Sequence, residues 1–267
     1  MAELARTFWN QGRWQEAEEL EVQVLETRKR VLGPEHPSTL SSMANLASTY
    51  RKQGRWQEAE ELQMQVLETT KRVLGPKYPD TLSNMANLAS TYRNQGRWQE
   101  AEELQMQVLE MRKRVLGPEH PDTLSSMAEL ASTYRNQGRL QEAEELEVQV
   151  LETRKRVLGP EHPYTLSSMA NLGLTHWDQG QLQEAETLEV RVMETRMRIL
   201  GEEHPETLTS MNNLAYTWNG QGRLQDALSL MDRCARLSTH KLGKDHPYTA
   251  DRLQTVQEWQ AQLLQLD

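Results

Sequence analysis

Cysteine is almost missing from this chain: Cys234 stands alone among 267 residues. That excludes an internal disulfide framework and fits a reducing, cytoplasmic setting. Phenylalanine is equally scarce, with a single copy, and β-branched residues are few, which argues against a sheet. No apolar run approaches the ~20 residues of a membrane span, and no signal peptide is visible before the first periodic segment. Positive charge is in deficit. The net charge of -9 argues against a nucleic-acid partner. Hydrophobic residues make up 37% of the chain and charged residues 26%. So low an apolar content can mean disorder, but here the apolar residues return in register, which argues for folding.

What is present is a repeat. The segment Thr81 to Leu116 holds two apolar-periodic stretches split by Gln95-Gly96-Arg97, and versions of it recur every 42 residues. Gly12, Gly54, Gly96, Gly138, Gly180 and Gly222 mark one turn. Leu-Gly pairs at 32–33, 74–75, 116–117, 158–159, 200–201 and 242–243 mark the other. A fixed period of this size means stacked supersecondary units, each touching mainly its neighbours. The expected divisions are 1–35, a truncated first unit; 36–77, 78–119, 120–161, 162–203 and 204–245, full units; and 246–267, a capping helix. Met1 aligns with Met43, so the first helix lacks its first turn. That suggests a fragment of a longer array or a trimmed first unit, with an apolar face at Leu4 and Phe8 left uncovered.

Each unit reads as a helix pair. Gly33 suits the position just past a helix end, Pro34 blocks continuation, and Pro37 suits the first position of the next helix. His36 would be the N-cap. The setting returns at His120, His162, His204 and His246, with Tyr78 in place of one histidine. Helix A of the first full unit spans about 37–52, with Leu40, Met43, Leu46, Ala47 and Tyr50 as its buried stripe. Helix B spans about 55–74, with Trp56, Ala59, Leu62, Val66, Leu67 and Leu74 inward. Ala47 and Ala59 allow close approach. Glu68 and Arg72 are four apart and predict an exposed pair worth only ~0.3–0.5 kcal/mol, repeated at Glu110/Arg114, Glu152/Arg156 and Glu194/Arg198. In the final helix Leu253 and Val256 keep the stripe, while Gln257 and Gln260 give the polar face of a cap.

With the helix pair in hand, the chain resembles the tetratricopeptide repeat in Leu46, Ala47, Tyr50, Gly54, Trp56, Ala59 and Val66. The usual unit has about 34 residues; this longer one is similar to the repeats of kinesin light chains, with their NLA..YRNQG..EAE and LG..HP segments. It also looks like the arrays of fungal nucleotide-binding receptors of the STAND type. The resemblance implies an all-α, right-handed superhelical solenoid of antiparallel pairs, six pairs and a capping helix.

No catalytic constellation accompanies it. The capping histidines lie a unit apart, roughly 10 Å from helix-packing distances, too far for joint ligation at ~2 Å per bond. Cys234 takes the place of Val192 and Val150 and reads as a buried, inert thiol. The EAEE runs read as a solvated face. There is no GxGxxG, GxxxxGK[ST] or GxSxG. Trp14, Trp56 and Trp98 give way to Leu140, Leu182 and Leu224, which points to packing. His176 replaces Tyr134 and reads as a packed ring. No cofactor or metal is expected, and nothing favours an enzyme.

The resemblance places helix A on the inner surface, where stacking makes ladders. One is Asn45, Asn87, Glu129, Asn171, Asn213; another is Arg51, Arg93, Arg135. Asn offers donors and acceptors to a peptide backbone, and Arg offers forked donors to carboxylates. The arginines could equally offset neighbouring Glu side chains. In the C-terminal units Leu174, Trp177 and Tyr216 replace the polar pattern, as an apolar anchor or as filling against the last helix. The expected function is a scaffold binding an extended segment, acidic with an aromatic anchor. The alternative is a self-associating or ligand-sensing array of a larger receptor.

Overall fold

The structure is a computed structural model describing residues 1–265. Thirteen helices and no strand occur among the described residues, so the chain is all-α. It divides into two compact units, Met1–Gly138 and Arg139–Asp267. The last two positions of the expected 246–267 segment lie outside the described residues.

The first unit holds α1 (Ala2–Asn10), α2 (Trp14–Leu32), α3 (Pro37–Lys52), α4 (Trp56–Val73), α5 (Pro79–Asn94), α6 (Trp98–Leu116) and α7 (Pro121–Asn136). The second holds α8 (Leu140–Leu158), α9 (Pro163–Asp178), α10 (Leu182–Leu200), α11 (Pro205–Gly220), α12 (Leu224–Leu242) and α13 (Pro247–Leu263). Within each unit every helix packs on the next one in the chain. α3 runs over the residues its apolar spacing predicts.

The punctuation explains why helices start and stop where they do. Gly54 turns the chain between α3 and α4 with φ +77°, and Gly33 ends α2 with φ +93°. A side chain at either place would be strained, because L residues rarely visit that region. Before α3, His36 Nδ1 accepts the Ser38 N–H at 3.1 Å, and Pro37 follows at the first helical position. His120, His162, His204 and His246 do the same for residues two further on, at 3.2 Å. Tyr78 gives α5 no side-chain cap. A threonine locks five of the joints: Thr39 Oγ1 donates to the Gly33 carbonyl at 2.8 Å, and Thr81, Thr123, Thr165 and Thr207 repeat the bond, whereas the buried Thr249 hydroxyl does not.

The core is a chain of small clusters. In the first unit Leu40, Met43 and Leu46 meet Leu25 and Val66, and Leu82, Met85 and Leu88 meet Leu67 and Val108. In the second, Leu166, Met169 and Leu172 meet Leu151 and Val192. A larger cluster around Leu208, Met211, Leu214 and Met231 takes in Val256 and Trp259 of α13. Ala47 and Ala59 are fully buried, as close helix approach requires. Cys234 is buried there too, its thiol donating to the Leu208 carbonyl at 3.2 Å, and burial pushes its pKa up.

Four expectations need correction. Trp56 is not in the stripe but 41% exposed, although Leu224 at the same place in α12 is buried. Leu74 is likewise exposed, since α4 ends at Val73 and Leu74 is its cap. Leu253 is 37% exposed: α4 covers the equivalent Met43, and α13 has no such neighbour among the described residues. Arg72 reaches Glu35 in the preceding linker, and Arg198 likewise reaches Glu161.

Candidate functional site

Helix A side chains point two ways, and the burial pattern separates them. On α3, α5 and α7, Thr49, Thr91 and Thr133 turn in while Asn45, Asn87 and Glu129 are exposed. Arg51, Arg93 and Arg135 are half-buried beside them. Arg93 Nη1 donates to Glu129 Oε2 at 2.7 Å, so for Arg93 the charge-balancing reading describes what is seen. Burial pulls the Arg51 pKa down, with nearby Glu129 opposing and Arg93 reinforcing the shift. Glu129 is thus paired with Arg93, and its charge is also felt at Arg51. Arg135 also has partners of its own.

In the second unit, Asn171, Leu174 and Asn213 are half-buried, Trp177 is 41% exposed and Tyr216 is 37% exposed. Trp177 leans over Gly220 of α11: a Cβ there would lie 3.6 Å from the indole nitrogen, beside Leu182. Tyr216 leans on α13 instead. Its ring meets Trp259 edge-on at 5.3 Å, and its hydroxyl lies 3.0 Å from Thr255 Oγ1. No ring contact joins Trp177 to Tyr216, so the two aromatics expected side by side each have a different neighbour. Trp259 was not foreseen. It occupies the buried place of Thr49 and Thr91, where a polar residue in every earlier helix A gives no hint that a large ring would be accepted.

The turns between paired helices carry a repeated polar clamp that the sequence only half disclosed. Arg55 stacks over the Tyr50 ring at 4.1 Å and pairs with Glu18 at 2.8 Å and with Glu58. Arg97 repeats this over Tyr92 with Glu60 and Glu100, and Arg223 over Trp218 with Glu186. These carboxylates raise the Arg55 and Arg97 pKa. Where the aromatic becomes His176, the arginine becomes Gln181, and the two bond at 2.6 Å. Gln95 Nε2 also donates to Glu60 at 2.8 Å. The EAEE runs are therefore not wholly a solvated face: Glu60 is only 7% exposed, held by Arg97 and Gln95.

Two further polar columns are buried between consecutive pairs. In one, Gln63 and Gln105 accept from Thr91 and Thr133 at 2.6 and 2.7 Å. Glu21 accepts from Thr49 at 2.6 Å, and burial raises its pKa. Glu189, 3% exposed, takes the same place in the second unit. Burial pushes its carboxyl up to about 7, against the Thr217 hydroxyl and helped by nearby Glu186. In the other column an arginine on helix B reaches the next helix A. Arg112 donates to the Asp122 carbonyl at 3.1 Å and Ser126 Oγ at 2.8 Å, with Ser83 Oγ of α5 at 3.3 Å. Arg28, Arg154 and Arg196 do likewise with Ser42, Ser168 and Ser210. At α12 and α13 the roles swap, and Arg252 donates to Ser238 at 2.6 Å.

Stacked pairs with this joint chemistry can be set beside known proteins. The tetratricopeptide repeat profile matches residues 1–72, 45–114, 80–156, 129–196 and 207–248. The chain belongs to the tetratricopeptide repeat family. A putative kinesin light chain of Podosopora anserina, described as having nearly identical TPR-like repeats, is 36% identical over 77% of this chain and 97% of its own, with a TM-score of 0.61. BtubC (BKLC) from P. vanneervenii is similar over 85% of this chain and 91% of its own, at 20% identity and a TM-score of 0.66. NprR in complex with its cognate peptide NprX is similar over 83% of this chain and 62% of its own, at 16% identity and a TM-score of 0.64. The search of curated proteins gave no match. In this tetratricopeptide repeat chain the long kinesin light chain-like unit agrees with the 42-residue spacing. No helix among the described residues is long and apolar enough to cross a membrane.

Proposed function

We propose that this tetratricopeptide repeat chain is a non-catalytic scaffold that holds an extended protein segment on the surface formed by its A helices. The observation that carries the reading is Trp177, a large indole 41% exposed on α9 at the place where the first unit has Arg135. An exposed aromatic on a rigid helix is a common anchor for a partner side chain. Leu174 and Tyr216 extend the apolar surface on helices A of the second unit. In the first unit, Asn45 and Asn87 offer amides to a backbone, and Arg51 with Arg93 outnumber Glu129, so a partner carboxylate finds charge to meet. NprR, alike in fold, is seen with a bound peptide, which fits such a use of stacked pairs. Ordering a flexible segment opposes binding, so micromolar affinity is expected.

Titration with an acidic peptide bearing one tryptophan tests this. Affinity should fall with salt, with Arg93→Ala and most with Trp177→Ala. An affinity indifferent to both substitutions rejects the site.

A further inference from the structure

The buried arginine column has one gap, and it lies between α4 and α5. Thr70 stands where Arg28, Arg112, Arg154 and Arg196 stand elsewhere, and Asn84 stands where their serine partners do. The stretches 55–96 and 97–138 differ at only six positions, and these two are among them. Both halves of one junction have changed together.

A hollow lies at this junction. Thr70 Oγ1 turns back to the Leu67 carbonyl at 3.1 Å and is met by Asn84 Nδ2 at 3.4 Å. A cavity of about 260 Å³ opens between α3, α4 and α5. That is several times the ~30 Å³ share of a water molecule.

Two of the residues that accept from such a guanidinium are still there, and an amide stands where the third, a serine, would be. Arg112 uses the Asp122 carbonyl, the Ser126 side chain and Ser83 Oγ. One repeat earlier these are Asp80, Asn84 and Ser41, and all of them line the cavity. Ser41 Oγ donates to the Pro37 carbonyl, which leaves its lone pairs to accept. Asn84 donates through its nitrogen and keeps its carbonyl oxygen free to accept. Asp122 is the acid that favours the charged form of Arg112, and Asp80 is its counterpart. Leu40 and Val66 supply apolar wall for the methylenes, as amphipathic side chains prefer.

We propose that this notch binds an arginine side chain presented by the partner segment, replacing in trans the guanidinium that the other junctions supply in cis. It adds a basic-residue subsite to the surface proposed above, in the first unit and apart from Trp177. Arginine fits better than lysine because the acceptors lie on two different helices, which a forked donor spans and a point charge does not. A net charge of -9 favours approach of a cationic group.

The experiment uses the full chain, isotope-labelled, with N-acetyl-arginine methylamide as probe and the Asn84 side-chain amide resonance as readout. Saturable shifts are expected, and the neutral isostere N-acetyl-citrulline methylamide should bind at least about ten-fold more weakly, since hydrogen bonds to a charged group are the stronger ones. Thr70→Arg with Asn84→Ser rebuilds the sister junction and should abolish the shifts at Ser41 and Asp80 while melting at or above the wild-type temperature. Should that variant fail to fold, Ser41→Ala, expected to weaken binding several-fold, decides instead. Equal binding of citrulline, no saturable shift, or unaltered binding by the variant that folds overturns the proposal. The probe has no aromatic ring or acid. Failure here with peptide binding at Trp177 intact sinks only this inference, and the reverse sinks only the groove reading.

Discussion

The two compact units fill one structural position differently. In the first, Gln63 and Gln105 occupy the buried place beside a helix A threonine, with a carboxyl only at the half-buried Glu21; in the second, Glu147 and Glu189 fill it, 2% and 3% exposed. The shapes are nearly the same, but an amide enters a dry interface with its hydrogen bond and no charge. A carboxyl there must keep its proton or ionise without compensation. The comparison teaches that a repeat fold constrains the size and hydrogen bonding of a column more tightly than its chemistry, and that charge is where the units part.

The sharpest way to break the comparison is to exchange these residues. The unfolded carboxyl ionises near 4.5, whereas Glu189 holds its proton in the fold up to about pH 7. The folded pKa is the higher one, so stability is lost as pH rises from about 4.5 to about 7 and stays lost above. Glu189→Gln should therefore stabilise the chain by roughly 3 kcal/mol at pH 8, with the gain vanishing near pH 4, in urea unfolding at several pH values. Gln105→Glu should do the opposite. A pH-independent difference would remove the account.

Next in size is the arginine column. Arg196→Ser takes the guanidinium donor from the Ser210 hydroxyl, while the Glu206 carbonyl keeps only its bond from Ser210 Oγ, and should cost about 2 kcal/mol. Adding Ser210→Arg copies the Ser238–Arg252 arrangement and should restore at least half of it. A double-mutant cycle showing no coupling would mean that the two junction types are not equivalent.

Capping comes third. His120→Ala should lose about 1 kcal/mol, and Tyr78→His should gain a comparable amount, bringing the one uncapped A helix after α1 into line. The caps accept through Nδ1, so protonation removes them. Burial, then nearby Arg252, holds the His246 pKa below its ordinary 6.5. Its contribution is whole above 6.5 and is lost as pH falls through the depressed value; a melting series from pH 7 downward for His246→Ala checks this. Smallest of all, Arg72→Ala breaks an exposed pair with Glu35 and should change stability by less than ~0.5 kcal/mol.

Why the fold was readable and the site less so follows from where the signals lie. Pro37 after His36, Gly54 at the turn and Leu46 beside Ala47 are local signals, each interpretable within a few residues. They recur often enough to fix helices, caps and core. The groove side chains answer to neighbours one unit away. Arg93 finds Glu129, and Tyr216 finds Trp259, 36 and 43 positions along. The buried state of Glu60 depends on Gln95 and Arg97 in the same way, which is why the EAEE runs looked uniformly solvated. Trp56 fits the stripe by spacing, yet the same first helical position is exposed in α4 and buried at Leu224 in α12.

The reversed polarity of the Ser238–Arg252 junction limits how such a chain can be rearranged. Splicing α13 directly behind α10 would set Arg196 against Arg252, two guanidiniums competing for a space without a hydroxyl between them. Copies cut from the middle of the chain, such as those ending in Arg112 and Arg154, could be exchanged freely, because each presents the same donor to the same serine. Shuffling of whole segments is therefore grammatical among the arginine–serine junctions and ungrammatical at that seam.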